Sequence, residues 1–265
     1  MYSKFTLAEK YLLYYLTASN GKGHGIHSPF IFRFVQQVLN DRKEYYGYEE
    51  IEALRDRMKV DDTVITVDDL GAGSGSTKKK NRRISQIART ALKSPKYAQL
   101  LFRMVNFYQP QYILELGTSL GITTAYMATA NPSAQITTIE GSEAIAHKAI
   151  ENFSRLNLQH IRVVTGNFDR EIKPVIHSMP KVDLAFVDGN HRREPTIHYF
   201  EEIISRCRPD SIIVFDDIHW SEEMEEAWAF IKQHPVVTCT VDLFFLGLVF
   251  LKDEFKSKQH FCIRF

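Results

Sequence analysis

Residues 113–121 read Ile113-Leu114-Glu115-Leu116-Gly117-Thr118-Ser119-Leu120-Gly121, an apolar strand that runs into a turn with a glycine at either end. A helix-length stretch follows to Asn131-Pro132, and the next apolar run ends in Glu140, 19 residues after Gly121. Glycines let the backbone bend sharply and approach a ligand, and an acid at this spacing can accept hydrogen bonds from both ribose hydroxyls of an adenosine. The stretch therefore predicts the first strand, turn and helix of a nucleotide-binding α/β domain.

A second glycine-rich segment, residues 67–75, competes for this assignment. It places an acid and alternating glycines after an apolar run, and as a pattern alone it is the better match. However, Gly75 is followed by Ser-Thr-Lys-Lys-Lys-Asn-Arg-Arg, which is a poor helix start, and no apolar strand follows within about 30 residues. A glycine motif without its strand and helix is weak evidence, so we expect this segment to be a surface turn.

From Gln111 onwards, short apolar runs alternate with helix-length amphipathic stretches. This alternation predicts a Rossmann-like, doubly wound α/β fold: a mostly parallel, seven-stranded sheet, covered by helices on both faces and closed by a C-terminal antiparallel hairpin. The expected strands are 112–116, 135–139, 161–164, 182–187, 211–215, 236–243 and 247–251. The expected helices between them begin near Ile122, Ser142, Asp169, Glu194 and Ser221.

The first 110 residues carry helical patterns instead. Ser28-Pro29 and Ser94-Pro95 each combine an N-cap residue with a proline at the first helical position, and apolar residues at helical spacing follow both pairs. A charged helix is expected near 48–58, with a loop centred on 71–80. We expect residues 1–94 to form a helical cap segment and residues 95–265 to form the α/β domain.

The composition excludes several classes of protein. With 44% hydrophobic residues, 25% charged residues and a net charge of +1, the chain is an ordinary globular protein without the cationic surplus of a nucleic-acid-binding protein. The basic run 78–83 is expected to be a solvated loop. Cys207, Cys239 and Cys262 are scattered, and the longest apolar run near the N-terminus is too short for a membrane span, so we expect a cytoplasmic protein with reduced thiols.

Five motifs follow one another along the α/β region. They are Glu115-Leu116-Gly117-Thr118-Ser119-Leu120-Gly121, Thr138-Ile139-Glu140-Gly141, Gly166-Asn167-Phe168, Phe186-Val187-Asp188-Gly189-Asn190-His191 and Phe215-Asp216-Asp217-Ile218-His219-Trp220. As a set they resemble the class I S-adenosylmethionine-dependent methyltransferases, and in particular the catechol and caffeoyl-CoA type O-methyltransferases. The resemblance covers about residues 95–251.

The resemblance implies a cofactor site for S-adenosylmethionine. The methionine part would be held by Glu115, Gly117, Thr118, Ser119 and Gly121, and the ribose by Glu140 with Gly141 and Ser142 beside it. Asn167 and Phe168 would border the adenine, although many relatives carry an acid where Asn167 stands. Asp188 would close the mouth of the cofactor site.

The resemblance also implies a cluster at the ends of two later strands. In the metal-dependent relatives, an Asp equivalent to Asp188 joins an Asp-Asn pair to bind Mg²⁺, and here that pair is Asp216 and Asp217. A helix-capping role for Asp216-Asp217 without a metal stays open. His191 stands where those enzymes place a lysine, and as a neutral imidazole it is a candidate general base. With His219 and Asp188 it forms the predicted catalytic set.

The expected function is methyl transfer from S-adenosylmethionine to a small hydroxylated acceptor, with O-methylation favoured. One alternative is a non-catalytic protein that binds the cofactor or a partner on the same fold; such a protein would be expected to lack the strand-end acids, which are present here. Another is a nicotinamide-dependent oxidoreductase, which needs a tight GxGxxG turn that this chain lacks. The sequence does not identify the acceptor. Whether the protein forms a homo-oligomer also stays open.

Overall fold

The computed structural model describes residues 1–23, 26–69 and 78–265. The competing glycine segment, Gly71 to Gly75, lies outside the described residues. The helices are α1 (Lys4–Thr17), α2 (Pro29–Phe34), which continues into a π-helical turn (Val35–Leu39), α3 (Tyr46–Lys59), α4 (Ile84–Thr90), α5 (Pro95–Tyr108), α6 (Ile122–Ala130), α7 (Glu143–Arg155), α8 (Phe168–Ser178), α9 (Arg193–Ile204) and α10 (Glu222–Gln233). The strands are β1 (Val64–Asp69), β2 (Lys78–Arg83), β3 (Tyr112–Leu116), β4 (Gln135–Glu140), β5 (Ile161–Thr165), β6 (Val182–Val187), β7 (Cys207–Asp216), β8 (Cys239–Asp242), β9 (Leu246–Phe250) and β10 (Gln259–Cys262).

The main sheet has eight strands and is mostly parallel, which confirms the predicted fold class. The chain divides into two compact units. In the unit of residues 42–175, β3, β4 and β5 lie side by side and parallel, with Glu115 opposite Thr138 and Glu140 opposite Thr165. This register brings the turns after β3 and β4 to the same edge of the sheet.

The other unit comprises residues 1–41 and 176–265, and its strands run in the order β10-β8-β9-β7-β6. β6 and β7 are parallel, whereas β9 is antiparallel to both β7 and β8, as expected for the closing hairpin. The eighth strand, β10, was not predicted. It is a four-residue edge strand parallel to β8, and pairing with β8, including a 2.8 Å contact between His260 Nδ1 and Thr240 Oγ1, fixes it more than its own composition does.

The N-terminal segment contains the predicted helices and also a hairpin that was not predicted. β1 and β2 pair antiparallel, so the prediction of a loop for the basic run 78–83 is wrong. In the register of the hairpin, Asn81 lies opposite Thr66, and the Thr66 hydroxyl donates to Asn81 Oδ1 at 3.0 Å. Pairing with β1, including this polar cross-strand contact, explains why so cationic a sequence forms a strand.

Each unit contains part of the N-terminal segment. In the unit of residues 1–41 and 176–265, Phe30 and Phe34 pack on Phe250 of β9, and Ser19 forms a bridge to Ile263. In the other unit, Tyr48 of α3 packs on Phe102 and Tyr126. The predicted domain boundary between residues 94 and 95 remains a prediction. Among the described residues, no helix is both long and apolar enough to cross a membrane.

Candidate functional site

The turn between β3 and α6 depends on residues with positive φ. Gly117 has φ 100°, Ser119 has φ 48° and Gly121 has φ 84°. A Cβ atom on Gly121 would lie 2.5 Å from the ring of Phe153, so this position requires glycine for its space as well as its backbone angle. The amides of Gly117 and Thr118 both donate to the carbonyl of Ile139, which joins the turn to β4.

Glu140 connects this turn to the next one. Its Oε2 accepts a hydrogen bond from the amide of Ser119 (2.8 Å), and its Oε1 accepts one from the amide of Ser142 (3.0 Å). Burial raises the pKa of Glu140, although the backbone N–H groups favour the charged form. A third backbone hydrogen bond comes from Gly141, so part of the acceptor capacity of the carboxylate remains. The predicted contact of Glu140 with a ribose stays a prediction.

Glu115 lies beneath the turn and is fully buried. Its carboxylate accepts hydrogen bonds from the hydroxyls of Thr123 (2.7 Å), Thr124 (2.5 Å) and Thr138 (2.6 Å). Burial raises the pKa of Glu115 to about 7, against the opposing effect of these hydroxyls. Glu115 therefore holds β3, β4 and α6 together, a role that sequence reasoning missed; its predicted contact with the cofactor remains a prediction.

The residues predicted to surround the ribose and adenine lie at two helix starts. Ser142 is the N-cap residue of α7, and its Oγ accepts a hydrogen bond from the amide of Asp68 in β1 (3.3 Å). Gly141 precedes it. Asn167 Oδ1 accepts from the amide of Asp169 (2.8 Å) at the start of α8, and Phe168 is the first residue of that helix. The β1–β2 hairpin therefore borders the predicted ribose site, which the sequence did not indicate.

The second group of predicted residues lies at the ends of β6 and β7. Asp188, His191 and Asp216 each offer a ligand atom, and these atoms all lie within 4.8 Å of one another. His191 Nε2 is 3.6 Å from Asp188 Oδ1, and Asp216 is buried. Among the described residues, the group that can hold a metal ion thus contains His191 in place of the predicted Asp217.

The loop after β6 has an unusual backbone. Asn190 has φ 67° and His191 has φ 30°, two consecutive left-handed residues. The side chain of Asn190 holds this conformation, because its Nδ2 donates to the Tyr199 hydroxyl (2.9 Å) and its Oδ1 accepts from Arg192 Nε (3.1 Å). Asp217 is also left-handed, with φ 53°, and its amide donates to the carbonyl of Phe245. These angles aim His191 at the carboxylates, and the sequence pattern did not reveal them.

His219 lies in a different network from His191. Its Nδ1 is 2.9 Å from Glu225 Oε1, its Nε2 is 2.8 Å from Asp242 Oδ2, and its ring stacks on Phe244. Glu225 also accepts hydrogen bonds from Lys10 of α1 and from the Tyr2 hydroxyl. Because carboxylates engage both ring nitrogens, the geometry favours a structural role for His219 over the predicted catalytic one.

Part of the chain is similar to known methyltransferases. Residues 114–218 match a family model described as a methyltransferase domain. A catechol O-methyltransferase from Niastella koreensis is 30% identical over 128 residues, which cover 47% of this chain and 57% of that protein. The chain spans only 35–57% of the length of the curated relatives it matches.

Solved structures share the fold. A methyltransferase from Podospora anserina, determined with S-adenosylhomocysteine (SAH) bound, aligns with a TM-score of 0.59 at 12% identity over 96% of this chain and 98% of its own. An O-methyltransferase from Bacillus cereus in complex with SAH aligns with a TM-score of 0.55 at 19% identity over 83% of this chain and 97% of its own. The family match and the fold together confirm the resemblance to class I methyltransferases.

Proposed function

We propose that this protein, whose residues 114–218 match the family model of a methyltransferase domain, transfers a methyl group from S-adenosylmethionine to the hydroxyl oxygen of a small acceptor. The observation that carries the proposal is the joined pair of turns after β3 and β4. Glu140 is fixed there by backbone hydrogen bonds from Ser119, Ser142 and Gly141, and its remaining acceptor capacity is left for the ribose. The catechol O-methyltransferase among the relatives supports a hydroxylated acceptor.

The two turns hold the donor in this proposal. The backbone from Gly117 to Gly121 binds the methionine part, and Glu140 with Gly141 and Ser142 binds the ribose. Asn167 and Phe168 border the adenine. The cofactor supplies the reactive sulfonium methyl group, so the protein contributes chiefly position and the exclusion of water.

His191 is the proposed general base, and Asp188 stabilises the imidazolium that forms. The acceptor oxygen attacks the methyl carbon in line with the departing sulfur. The new carbon–oxygen bond forms as the carbon–sulfur bond breaks, and the hydroxyl proton passes to the imidazole. Asp188 Oδ1 lies 3.6 Å from His191 Nε2.

The same residues fit a divalent cation. Asp188, His191 and Asp216 converge within 4.8 Å, and two carboxylates with an imidazole form a common ligand set. When bound, such an ion would orient an acceptor oxygen and lower the pKa of its hydroxyl. Magnesium prefers oxygen ligands throughout, so the nitrogen of His191 suits a transition metal better than the Mg²⁺ that the resemblance implied.

The test is calorimetric titration of the protein with SAH and, separately, with NAD. SAH is expected to bind and NAD to leave the heat signal unchanged. Glu140→Ala should weaken SAH binding by about 1–3 kcal/mol because ribose hydroxyls lose their acceptor. Glu140→Gln, which keeps the length of the side chain and one carbonyl oxygen, should lose less. Binding of NAD, or an unchanged affinity for SAH in Glu140→Ala, would contradict the proposal.

A further inference from the structure

The N-terminal helix α1 exposes an apolar face to solvent. Among the described residues, thirteen large apolar side chains are exposed, and six of them lie within residues 1–16. These six are Met1, Phe5, Leu12, Leu13, Tyr15 and Leu16, with exposed fractions of 50–84%. Phe5, Leu12 and Leu16 follow helical spacing and form the centre line of the stripe.

The exposed face is presented by a helix that is firmly held on its other side. Tyr11 and Tyr14 pack on Phe244, at ring centroid distances of 5.0 and 5.3 Å. Lys10 forms an ion pair with Glu225 at 3.0 Å, and the hydroxyl of Tyr14 donates to the carbonyl of Ile263. α1 is therefore apolar on both sides, and an exposed apolar stripe of this kind is typical of an interaction surface.

The size and charge of this face fit a second copy of the chain. At roughly 200 Å² for each large side chain, the exposed fractions of all six residues correspond to about 800 Å² when Met1, which precedes the helix, and Tyr15 are covered together with the stripe. That is the area that each partner contributes to a standard interface. The net charge of +1 leaves little repulsion between two copies. Glu9 is the one charged residue within the stripe, and in an interface its flexible side chain has to carry the carboxylate outwards to the solvated rim.

We propose that two copies of the chain associate through the outer faces of α1, which pack antiparallel across a twofold axis near Leu12 and Leu13. A twofold axis makes the same patch contact itself, and a stripe on a 14-residue helix is about 21 Å long, which suits such pairing. The proposal is independent of the catalytic function.

Sedimentation velocity of the full chain tests the oligomeric state. The wild type is expected to sediment as a dimer. Leu12→Glu/Leu16→Glu should raise the dimer Kd by on the order of 100-fold or more, with an unchanged circular dichroism spectrum. Val60→Glu is the matched control: Val60 is 74% exposed at the end of α3, and its replacement should leave the dimer intact.

A cross-linking measurement gives a second test that does not weaken the interface. Leu12→Cys should form an intermolecular disulfide on mild oxidation, because a residue near a twofold axis faces its own copy, whereas Val60→Cys should not. A wild type that is monomeric at its highest soluble concentration would overturn the proposal. So would a dimer that persists in the double glutamate variant. A monomer that co-sediments with vesicles of phosphatidylglycerol and phosphatidylcholine would assign the face to a membrane surface instead.

Discussion

Gly121 combines a left-handed backbone with a close neighbour, and Gly117 provides its natural control. Both have positive φ, but only at Gly121 would a Cβ atom meet the ring of Phe153, at 2.5 Å. We expect Gly121→Ala to lower the free energy of unfolding by about 2–4 kcal/mol and Gly117→Ala by about 1 kcal/mol. Urea denaturation measures both. Equal losses would show that the turn relaxes around Phe153.

Glu115 should make stability depend on pH. Burial raises its folded pKa to about 7 from the ordinary 4.5, so its contribution is fully present below pH 4.5 and is lost as the pH rises through 7. The difference amounts to ~3 kcal/mol. Glu115→Gln keeps the shape and cannot ionise, so its stability relative to the wild type should improve between pH 4.5 and 7. A constant difference across this range, in chemical denaturation, would contradict a buried ionisable Glu115.

His191 and the bound cation can be separated by one experiment on methyl transfer. If His191 is the base, His191→Ala should reduce the rate by about 10²–10⁴-fold. If His191 is instead a metal ligand with Asp188 and Asp216, its imidazole cannot be the base, and EDTA should abolish activity in the wild type. The assay uses labelled methyl donor and a panel of hydroxylated acceptors. Full activity in EDTA excludes a required metal, and full activity of the variant excludes the base.

The sequence predicted individual site residues with unequal success, for a physical reason. Glu140 was identified because spacing along a β-α-β unit places a strand-end acid beside the glycine turn, and the structure joins them through Ser119. His191 could be placed in the right loop, but its approach to Asp188 and Asp216 depends on two left-handed residues, Asn190 and His191 itself. Few sequence signals specify such angles in residues other than glycine.

Strands β3 to β9 were predictable because each lies in an apolar run bounded by turns. The β1–β2 hairpin was not, because Lys-Lys-Lys-Asn-Arg-Arg has the composition of a solvated loop. The pairing of β2 with β1 overrides that propensity, and it includes the hydrogen bond from Thr66 to Asn81. Such pairing depends on contacts with another segment of the chain. Local sequence patterns therefore do not predict short polar strands.

The docking of α1 is expected to weaken at high pH. Burial alone would lower the pKa of His219, but hydrogen bonds and charge from Asp242 and Glu225 outweigh this effect and raise it. The stabilisation is therefore complete below pH 6.5 and is lost as the pH rises through the folded pKa. Hydrogen exchange of α1 amides should accelerate above that pH.

His219→Asn provides the comparison for this prediction. It should cost about 1–3 kcal/mol at pH 6, because two charge-assisted hydrogen bonds are lost. It should also remove the pH dependence of the α1 protection factors, in which the intrinsic base-catalysed exchange rate is divided out. Exchange of α1 that varies with pH equally in the variant and the wild type would assign the effect to another group. Lys10→Met should accelerate exchange at every pH, since its ion pair with Glu225 holds the helix directly.

The N-terminal segment, residues 1–94, contributes to the cores of both units. Residues 1–41 fall in one compact unit and residues 42–94 in the other. In the first unit, Ile31, Phe34 and Val35 are fully buried. In the second unit, Ile51 and Leu54 are only 1% exposed. A segment that supplies core side chains to a unit contributes to the folding of that unit, which a separate cap would not do.

The fragment 95–265 therefore should not fold by itself, although the motifs of the methyltransferase domain all lie within it. Removing residues 1–94 takes away Phe30 and Phe34 from Phe250, and Tyr48 from Phe102 and Tyr126. The truncation also removes the buried side chains of Ile31, Phe34, Ile51 and Leu54. At about 2–5 kcal/mol each, their loss is comparable to a typical domain's total stability. We expect the fragment to aggregate, or to retain helical circular dichroism without a cooperative thermal transition, whereas the full chain melts cooperatively. A fragment that melts cooperatively and binds SAH as tightly as the full chain would instead make residues 1–94 a removable cap.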